Sequence, residues 1–417
     1  MFPGFTAALS ALTAESTAID VSGNNLANLN TPGFKAANSE FSDLMSQTLG
    51  SALNPAQVGM GVGPLQTKTN YIQGGITTTG GPTDAAIEGN GFFVVKDQNG
   101  QSLYTRDGSF QIDSSGDLVT ANGQLVQGWS ATNGTPNPNG PVSNITIPTG
   151  ALLSGTTTTS MSLNVNLNAA APTSGTGSTF SSPIQVYDSL GTAHTLTANF
   201  TKTDTNTWQY TVTIPSSDLT SGENTTLASG TLTFDGNGDL TSPAAASGPQ
   251  TIAIQGLADG ANDLSIQWDL FDSSGKPNVT QLSEDSTLES SSQNGAAAGE
   301  ITNVSLQNGG LLVADYSNGQ QITVGQLAVA AIQNPSSLKS VGENNLQATA
   351  ATAPPALGAA NTAGRGQILG GALEGSTADM ATEFTNLLSY ERSYQAAARV
   401  ITTGDTMLQD VLNIIQG

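Results

Sequence analysis

The chain of 417 residues contains no cysteine and a single histidine. The absence of thiols excludes disulfides, thiolate metal sites and cysteine nucleophiles. The one imidazole, His194, would need a nucleophile and an orienting acid to act as a general base. Its setting, "LGTAHTLTANF", is typical of a turn leading into a strand, and no other signal of catalysis accompanies it. We therefore interpret His194 as a structural residue.

Positive charge is also scarce, since 10 Lys and Arg stand against 32 Asp and Glu, a formal net charge of −22. The first cation along the chain is Lys35. Nucleic acids and anionic membrane surfaces reward clustered cations, so neither is expected as a partner. Only 10% of the residues are charged, and 48 are glycine, a composition that suits β-structure with many turns.

Long apolar runs are missing as well. No segment approaches the roughly 20 apolar residues that a membrane-spanning helix needs, so no membrane insertion is expected. The N-terminal "MFPGFTAALSALTAE" lacks a basic region, a long apolar region and a small-residue cleavage site, so it is not a conventional secretory signal. If the protein leaves the cell, we expect export without a cleaved signal peptide.

Two acidic loops resemble calcium loops only superficially. "DGNGDL" from Asp235 places acids or Asn at alternate positions, but Leu240 stands where the glycine of an EF-hand belongs. "DSSGDL" from Asp113 fails at the same position, so both are predicted to be hairpin turns. "GMGVG" at 59–63 has no following helix to cradle a phosphate. The sequence thus predicts no catalytic residue, no metal site, no cofactor and no enzyme.

What the chain does contain is a helical pattern at each end. Residues 3–27 have apolar side chains at alternating steps of three and four, which predicts a helix. The Asn-rich stretch that follows ends in Thr31-Pro32-Gly33, which predicts a type II turn. The large apolar positions of this pattern, called the N-terminal seam, are Phe2, Phe5, Leu9, Leu12, Ile19 and Leu26.

The C-terminal pattern is longer and predicts a helix over 376–415. Ser376 is the expected N-cap, with Asp379 completing a variant capping box, and Gly404 is expected to interrupt the helix. The apolar spacing of 3.5 residues is that of a coiled coil. Its apolar positions, called the C-terminal seam, are Met380, Phe384, Leu387, Tyr394, Ile401, Leu408, Leu412 and Ile415.

Between the helices, short apolar runs alternate with Asn-Gly and Ser-Gly turns, which predicts mostly antiparallel β-structure. A hairpin turn is expected in "DYSNGQQITVG" (315–325). A boundary near 147 and a linker at 290–300 indicate one β domain inserted in another, which would bring the two termini together. The N-terminal helix is weak alone, so it should fold against the C-terminal helix and against copies in neighbouring molecules. The alternative is an ordinary helical hairpin packed on a core.

The same residues carry a resemblance to a known family. "NNLANLNTPGFK" (24–35) resembles the N-terminal signature of the flagellar rod and hook axial proteins, and 373–412 resembles their C-terminal signature. Thr377-Ala378 stands where Asn-Val is usual. "GNGFFVV" (89–95) is similar to their shared β domain, and "VYDSLGTAHTLTANF" and the inserted domain favour the hook members over the shorter rod members. The residues of the family turn motif are Asn28, Thr31, Pro32, Gly33, Phe34 and Lys35.

The resemblance implies a fold of mixed α and β class, with paired terminal coiled-coil helices and two elongated β domains. The implied parts are a terminal helical core (1–28 and 366–417), a linking segment (29–73), an inner β domain (74–146 and 296–365) and an inserted outer β domain (147–295).

The implied function is that of a structural subunit that self-assembles into the flagellar hook, a flexible tubular universal joint that carries motor torque from rod to filament. The implied partners are copies of the chain, rod proteins, the hook-filament junction protein, the hook cap and the type III export apparatus. The implied location is extracellular. A distal rod protein of the basal body and a secreted β-rich adhesin or fibre protein are the alternatives.

Overall fold

The computed structural model describes the backbone of residues 3–44, 47–49 and 56–416, and the side chains of residues 4–44 and 59–414. Helix α1 is Pro3–Ala27 and helix α2 is Met380–Gln416, and most of the chain between them is β-structure. Of the predicted mixed α and β class, the coarse form is confirmed: the chain is mostly β-structure with a helix at each end. The coiled-coil pairing of the helices and the insertion of one β domain in another remain predictions. None of the helices in the described ranges is both long and apolar enough to span a bilayer.

The strands are short and numerous. Those before residue 150 are β1 Ala37–Glu40, β2 Gln47–Leu49, β3 Ala56–Val58, β4 Gln66–Thr69, β5 Ile76–Thr78, β6 Ala85–Glu88, β7 Phe92–Lys96, β8 Ser102–Thr105, β9 Phe110–Ile112, β10 Leu118–Thr120, β11 Leu125–Thr132, β12 Thr135–Pro136 and β13 Ser143–Asn144. Those of residues 150–300 are β14 Ser160–Asn168, β15 Thr179–Tyr187, β16 Ala193–Asp204, β17 Thr207–Thr213, β18 Thr226–Phe234, β19 Leu240–Ser242, β20 Gln250–Ile254, β21 Leu264–Asp269, β22 Val279–Leu282 and β23 Thr287–Gln293. The remaining strands are β24 Ile301–Leu306, β25 Leu311–Tyr316, β26 Gln321–Leu327, β27 Val329–Ala331, β28 Lys339–Gly342, β29 Asn345–Gln347, β30 Ala356–Gly358, β31 Gln367–Gly370 and β32 Ala372–Glu374. Three single-turn 3₁₀ helices lie at Ser216–Asp218, Ala245–Ser247 and Pro335–Ser337.

The chain divides into two compact units. Unit 1 comprises Met1–Thr149, Val304–Ala314 and Ile322–Gly417, and unit 2 comprises Gly150–Asn303 and Asp315–Gln321. Both terminal helices belong to unit 1. The finer division of the chain into four parts remains a prediction.

Unit 1 is built on a sheet whose main path runs β24-β25-β26-β11-β7-β8-β29-β28. Strand β7, "FFVVK", is central and buried on both faces, as its continuous apolar run predicts. Phe93 packs edge-on against Phe110 with ring centroids 5.1 Å apart. Two further ladders, β31 with β6 and β32 with β5, are antiparallel and tie the segment before α2 to residues 76–88. These ladders position the base of the terminal helices.

Unit 2 contains two five-stranded sheets, β20-β21-β14-β22 with β23 beside β14, and β15-β16-β17-β18-β19. Both sheets contribute to one hydrophobic core, which includes the fully buried Trp208 and Trp268. The Trp208 indole N–H donates to the side-chain oxygen of Gln281 at 2.8 Å, so its polar edge is satisfied inside the core. Along β16, buried and more exposed residues alternate, and the buried row includes His194 and Phe200.

The predicted hairpin turns are confirmed. The Oδ1 atom of Asp113 accepts the N–H groups of Ser115 and Asp117 at 2.8 and 2.9 Å. Asp235 likewise accepts the N–H groups of residues 237 and 239, at 2.8 and 3.0 Å. In the 315–325 hairpin, the N–H of Tyr316 donates to the carbonyl of Gln320. The side chain of each acidic residue therefore closes its own turn.

Two details predicted for α2 are wrong. The helix begins at Met380, and its N-cap is Asp379 and not Ser376, because Asp379 Oδ1 accepts the Thr382 N–H at 2.8 Å. Ser376 instead accepts the N–H of Ala378 at 3.1 Å, within the segment that precedes the helix. Gly404 does not interrupt α2, which continues through it to Gln416.

Candidate assembly site

The terminal helices run antiparallel and contact each other. Near the end of α1, the Asn25 amide nitrogen donates to Glu383 Oε1 at 3.0 Å. Near the start of α1, a Cβ built on Gly404 would lie 3.8 Å from the ring of Phe5. The two contacts are separated by about the same number of residues on each helix. At about 1.5 Å per residue, the helices therefore lie side by side over roughly 30 Å.

The buried face of α1 consists of small and polar side chains. Its buried members are Ala8, Ala14, Ala18, Ser22 and Asn25. Small side chains let two helix backbones approach closely, because the interaxial distance is set by the residues at the contact. The buried row of α1 is therefore different from the N-terminal seam, of which Phe5 faces Gly404 of α2.

The two predicted seams are left partly or largely uncovered in the single chain. The half-buried members are Phe5, Leu12, Ile19 and Leu26 on α1, and Leu387, Tyr394 and Ile401 on α2. The exposed members are Leu9, Met380, Phe384, Leu408 and Leu412. The predictions for Phe2 and for the Ile415 side chain lie outside the described residues.

The last three turns of α2 are the most apolar exposed surface in the described part of the helices. Because Gly404 lies opposite Phe5, α2 extends about ten residues beyond the start of α1 at Pro3. Met407 is 66% exposed and Ile414 is 80% exposed. This surface, called the apolar end of α2, consists of Met407, Leu408, Val411, Leu412 and Ile414. Contiguous exposed apolar surface of this kind marks an interaction site.

At the other end of the pair, the family turn motif connects α1 to the rest of unit 1. The N–H of Phe34 donates to the Thr31 carbonyl, Pro32 and Gly33 are the central residues, and Gly33 has φ +67°, so the predicted type II turn is confirmed. The Asn28 side chain accepts the Thr31 hydroxyl at 3.0 Å. The turn thus stops α1 and redirects the chain.

Gly33 fits because a side chain would not. A Cβ built there would lie 2.4 Å from the carbonyl carbon of Arg106, and its backbone N–H donates to the Glu374 carbonyl at 2.7 Å. The turn is therefore pressed directly against two other segments of unit 1.

Replacing Gly33 with Ala should destabilise unit 1 by roughly 3 kcal/mol, through the positive φ and the clash with backbone. The matched control is Gly23→Ala, within α1, where a Cβ would meet nothing within 4 Å. That change should stabilise the helix by up to about 1 kcal/mol. Amide exchange of strands β5 to β8 measures the first effect and that of α1 the second, and loss of protection in β5 to β8 by both substitutions alike would contradict the role given to Gly33.

Next to the turn lies a buried ion triad, called the Glu374 cluster, made by Lys35, Arg106 and Glu374. The Glu374 side chain is 0% exposed, Lys35 Nζ lies 2.6 Å from its Oε1, and Arg106 Nη1 lies 3.0 Å from its Oε2. The backbone N–H of Gly74 also donates to Oε1, at 2.8 Å. One carboxylate therefore joins the turn after α1 and the segment before α2 to the β-structure of unit 1, through Arg106 and Gly74.

Carbonyl groups bind further hydrogens of the two cations, whereas the buried Nε of Arg106 has no hydrogen-bond partner. Lys35 Nζ donates to the Ile72 carbonyl at 2.6 Å. Arg106 donates to the carbonyls of Ile87 and Gly89 at 3.1 and 2.6 Å. Burial lowers the pKa of Lys35, and the hydrogen bond and charge of Glu374 oppose that effect. The carboxylate is thus the group that favours the charged form of the buried lysine.

A second set of contacts fixes the direction of the chain after the turn. The Asn25 side chain binds both backbone groups of Ala37, at 2.8 and 3.1 Å. The Thr377 hydroxyl accepts the N–H of Ala36 at 2.9 Å, and the N–H of Thr377 donates to the carbonyl of Phe34. The residues on either side of Lys35 are therefore hydrogen-bonded to Thr377 of the segment before α2.

Sequence reasoning placed Lys35 in the turn motif but missed Arg106 and Glu374. Lys35 and Arg106 are 339 and 268 residues from Glu374 along the chain, so no local pattern connects them. The one available signal was the scarcity of cations, because Lys35 is the first after 34 residues without any.

Comparison with family models gives matches along most of the chain. Residues 5–35 match "Flagella basal body rod protein", and 86–166 match "Flagellar hook protein FlgE/F/G D1 domain". Residues 153–296 match "Flagellar basal body protein FlaE D2 domain", and 369–414 match "Flagellar basal body rod FlgEFG protein C-terminal".

Curated proteins give matches over nearly the whole length. The chain is 35% identical to the flagellar hook protein FlgE of Salmonella typhimurium, over 98% of the chain and 99% of that protein. It is 34% identical to FlgE of Escherichia coli, with the same coverage. It is 32% identical to FlgE of Treponema pallidum, over 95% of the chain and 96% of that protein.

Proposed function

Because the chain belongs to the flagellar hook protein family, we propose that it joins its neighbours in the hook through the apolar end of α2 and the exposed seam residues. It is a structural subunit of the bacterial flagellar hook that polymerises with its own copies, and it is not an enzyme. The distal rod and adhesin alternatives are not favoured, because hook proteins match the chain from end to end.

The observation that carries the proposal is the exposure of large apolar side chains on α2 beyond the start of α1. Burying such a side chain contributes about 1.5–3 kcal/mol, and α1 of the same molecule does not reach them. A helix of a neighbouring copy supplies a matching surface, since the C-terminal seam repeats every 3.5 residues. We propose that the pair becomes a coiled-coil core domain only in the polymer.

The Glu374 cluster suits the transmission of torque. A buried triad, in which both carboxylate oxygens of Glu374 are paired with cations, holds the turn after α1 and the segment before α2 against strands β5 and β6. Such a network has one favourable geometry, because breaking it leaves a buried charge without a partner of opposite sign. We propose that it keeps the helical core and the inner β domain turning as one body.

The exposed faces of unit 2 suit sliding between neighbours. Strand β16 presents polar side chains outward, and Ser181 of β15 donates to Asn199 across the ladder at 2.7 Å. Hydrogen bonds between such surfaces contribute only about 1 kcal/mol each, so they exchange readily. We propose that unit 2 is the inserted outer domain and that its polar faces slide as the hook bends.

The remaining features of the proposal concern location and partners. We propose that the subunit acts outside the cell, after export by the flagellar type III apparatus without a cleaved signal. The proposed neighbours in the assembled flagellum are rod proteins at one end, and the hook cap and hook-filament junction protein at the other.

Electron microscopy of the purified chain under polymerising conditions tests the proposal. Curved tubes, open along their axis, are the expected product. A protein that remains monomeric, with α2 fully protected from amide exchange, would count against polymerisation through the terminal helices.

Removing most of unit 2 should leave assembly intact and change the curvature of the tube. Leu153 and Gly299 form an antiparallel bridge in which each backbone N–H donates to the other residue's carbonyl, at 2.8 and 3.1 Å. Because this is the pairing that closes a tight hairpin, a two-residue Gly-Gly turn can replace 154–298. Tubes of altered or absent curvature are expected, since the sliding faces are gone. The same excision in a chain lacking 376–417 is the control and should give no tubes. Normally curved tubes from the excised chain would rule out unit 2 as the source of bending.

A further inference from the structure

The single histidine of the chain lies at the centre of three carboxylates in unit 2. His194 Nδ1 is 3.1 Å from Asp218 Oδ2. On the other side of the ring, Nε2 is 3.2 Å from Asp188 Oδ2 and 3.8 Å from Asp259 Oδ2. These four residues come from the start of β16, the turn before it, the 3₁₀ helix Ser216–Asp218 and the loop that holds Asp259, so the grouping exists only in the folded unit.

Each carboxylate is held by one oxygen and directs the other at the imidazole. Asp188 Oδ1 accepts the N–H groups of Leu190 and Thr192, both at 2.8 Å. Asp218 Oδ1 accepts a hydroxyl at 3.0 Å, and Asp259 Oδ1 accepts a backbone N–H at 3.1 Å. In all three residues Oδ2 is the atom that faces His194. The arrangement is therefore oriented before any ligand arrives.

The charges of this group do not balance. Three carboxylates surround one imidazole, and among the described residues no Lys or Arg forms an ion pair with any of them. His194 and Asp188 are buried, so water screens them poorly. With all three carboxylates ionised, the group carries a net charge of −2 even when the ring is doubly protonated. A divalent cation would neutralise it.

We propose that His194 Nε2, Asp188 Oδ2 and Asp259 Oδ2 bind a divalent transition metal ion, with Asp218 orienting the ring through Nδ1–H. Ligand atoms about 2.0–2.2 Å from a tetrahedral zinc ion lie about 3.4 Å apart, between the observed 3.2 and 3.8 Å. The three ligand atoms all lie within 4.8 Å of one another. The carboxylate on the far nitrogen is the usual outer partner of a metal-bound histidine.

The donor set selects the ion. An imidazole nitrogen with two carboxylates suits Zn²⁺, whereas Ca²⁺ and Mg²⁺ prefer oxygen ligands alone. The Asp259 and Asp218 side chains are 28% and 25% exposed, which gives the ion an entry path and room for water as a fourth ligand. On binding, Zn²⁺ replaces the Nε2 proton, which passes to solvent.

The test uses the full-length, unpolymerised chain labelled with ¹⁵N at histidine, titrated with ZnCl₂ at pH 8. Because the chain has one histidine, its two ring nitrogens report on this site alone. The expected result is a shift of the Nε2 resonance that saturates at one equivalent of Zn²⁺. A hundredfold excess of Ca²⁺ or Mg²⁺ should not produce it. Ring resonances that stay unchanged with excess Zn²⁺ would overturn the proposal.

Variants separate this site from adventitious binding to the many surface acids. Asp259→Asn removes one ligand from a partly exposed position and should weaken Zn²⁺ binding at least tenfold by calorimetry. Asp285→Asn, an exposed aspartate of the same unit, is the control and should bind as the unaltered chain does. Equal affinity of the two variants would assign the bound zinc to other carboxylates and refute the site.

Discussion

Replacing Glu374 with Gln is expected to destabilise the base of the terminal helices by about 3–5 kcal/mol, the usual cost of breaking a buried ion pair from one side. Glutamine has nearly the same shape, so little of this effect would come from lost packing. It removes the charge that Lys35 Nζ and Arg106 Nη1 face at 2.6 and 3.0 Å. Two buried cations would then remain without a counter-ion.

The effect should be local and large. Residues 31–37 and 372–379 are hydrogen-bonded to each other and to the cluster, so these segments should exchange their amide hydrogens at least a hundredfold faster. Unit 2 does not contain any member of the cluster, so its strands should exchange at the rate of the unaltered chain. Mass spectrometry of exchanged peptides measures both regions in one experiment.

Glu289→Gln is the matched control, since it makes the same chemical change at an exposed residue of β23. It should change stability by less than about 0.5 kcal/mol. If Glu374→Gln left the exchange of 31–37 unchanged, the cluster would not be what holds the turn. Hooks built from the Glu374 variant should also twist by a given angle at a lower torque. Their terminal helices would no longer be fixed to the β-structure of unit 1.

The sequence was sufficient where structure is set by neighbours in the chain. The apolar period predicted α1 over 3–27, and the Pro-Gly pair predicted the turn after it. It was insufficient where two neighbouring residues could serve the same role, or where a distant segment decides. Ser376 looked like an N-cap by spacing, but Asp379 binds the free N–H group of Thr382 and α2 begins after it. Gly404 has a low helix propensity, but packing beside Phe5 outweighs the cost of about 1 kcal/mol.

The candidate site was likewise predictable from sequence only where the signal lies in neighbouring residues. Leu408 and Leu412 of the apolar end of α2 were named from periodicity, but Met407, Val411 and Ile414 beside them were missed. Glu374 and Arg106 were also missed, because a lone acid and a lone base carry no pattern. The aspartates around His194 were missed for the same reason, since three loops bring them together. The apolar period also selected the large apolar residues of α1 as the expected contact surface. The residues that are buried on α1 include the small side chains Ala8, Ala14 and Ala18. Of the large side chains of the N-terminal seam, Leu9 is exposed and the other described members are half-buried, so part of their surface remains for another partner.

Changing the apolar end of α2 tests whether a second copy of the chain covers this surface in the polymer. In the triple variant Met407→Gln, Val411→Thr and Ile414→Thr, side-chain shape and helix propensity are nearly kept while the apolar character is lost. These residues are 52–80% exposed in the single chain, so the monomer should unfold at the same denaturant concentration. In the polymer, each buried apolar side chain contributes about 1.5–3 kcal/mol, so the critical concentration for assembly should rise at least a hundredfold.

The control variant, Thr403→Gln with Gln409→Ser, alters exposed polar positions on the same stretch of α2 and should polymerise normally. Sedimentation of polymer at increasing protein concentration gives the critical value for all three chains. A triple variant that polymerises at the unaltered concentration would show that the apolar end is not an interface. A loss of polymer with an unchanged monomer would mean that these side chains are exposed in the free subunit because a second copy covers them in the tube.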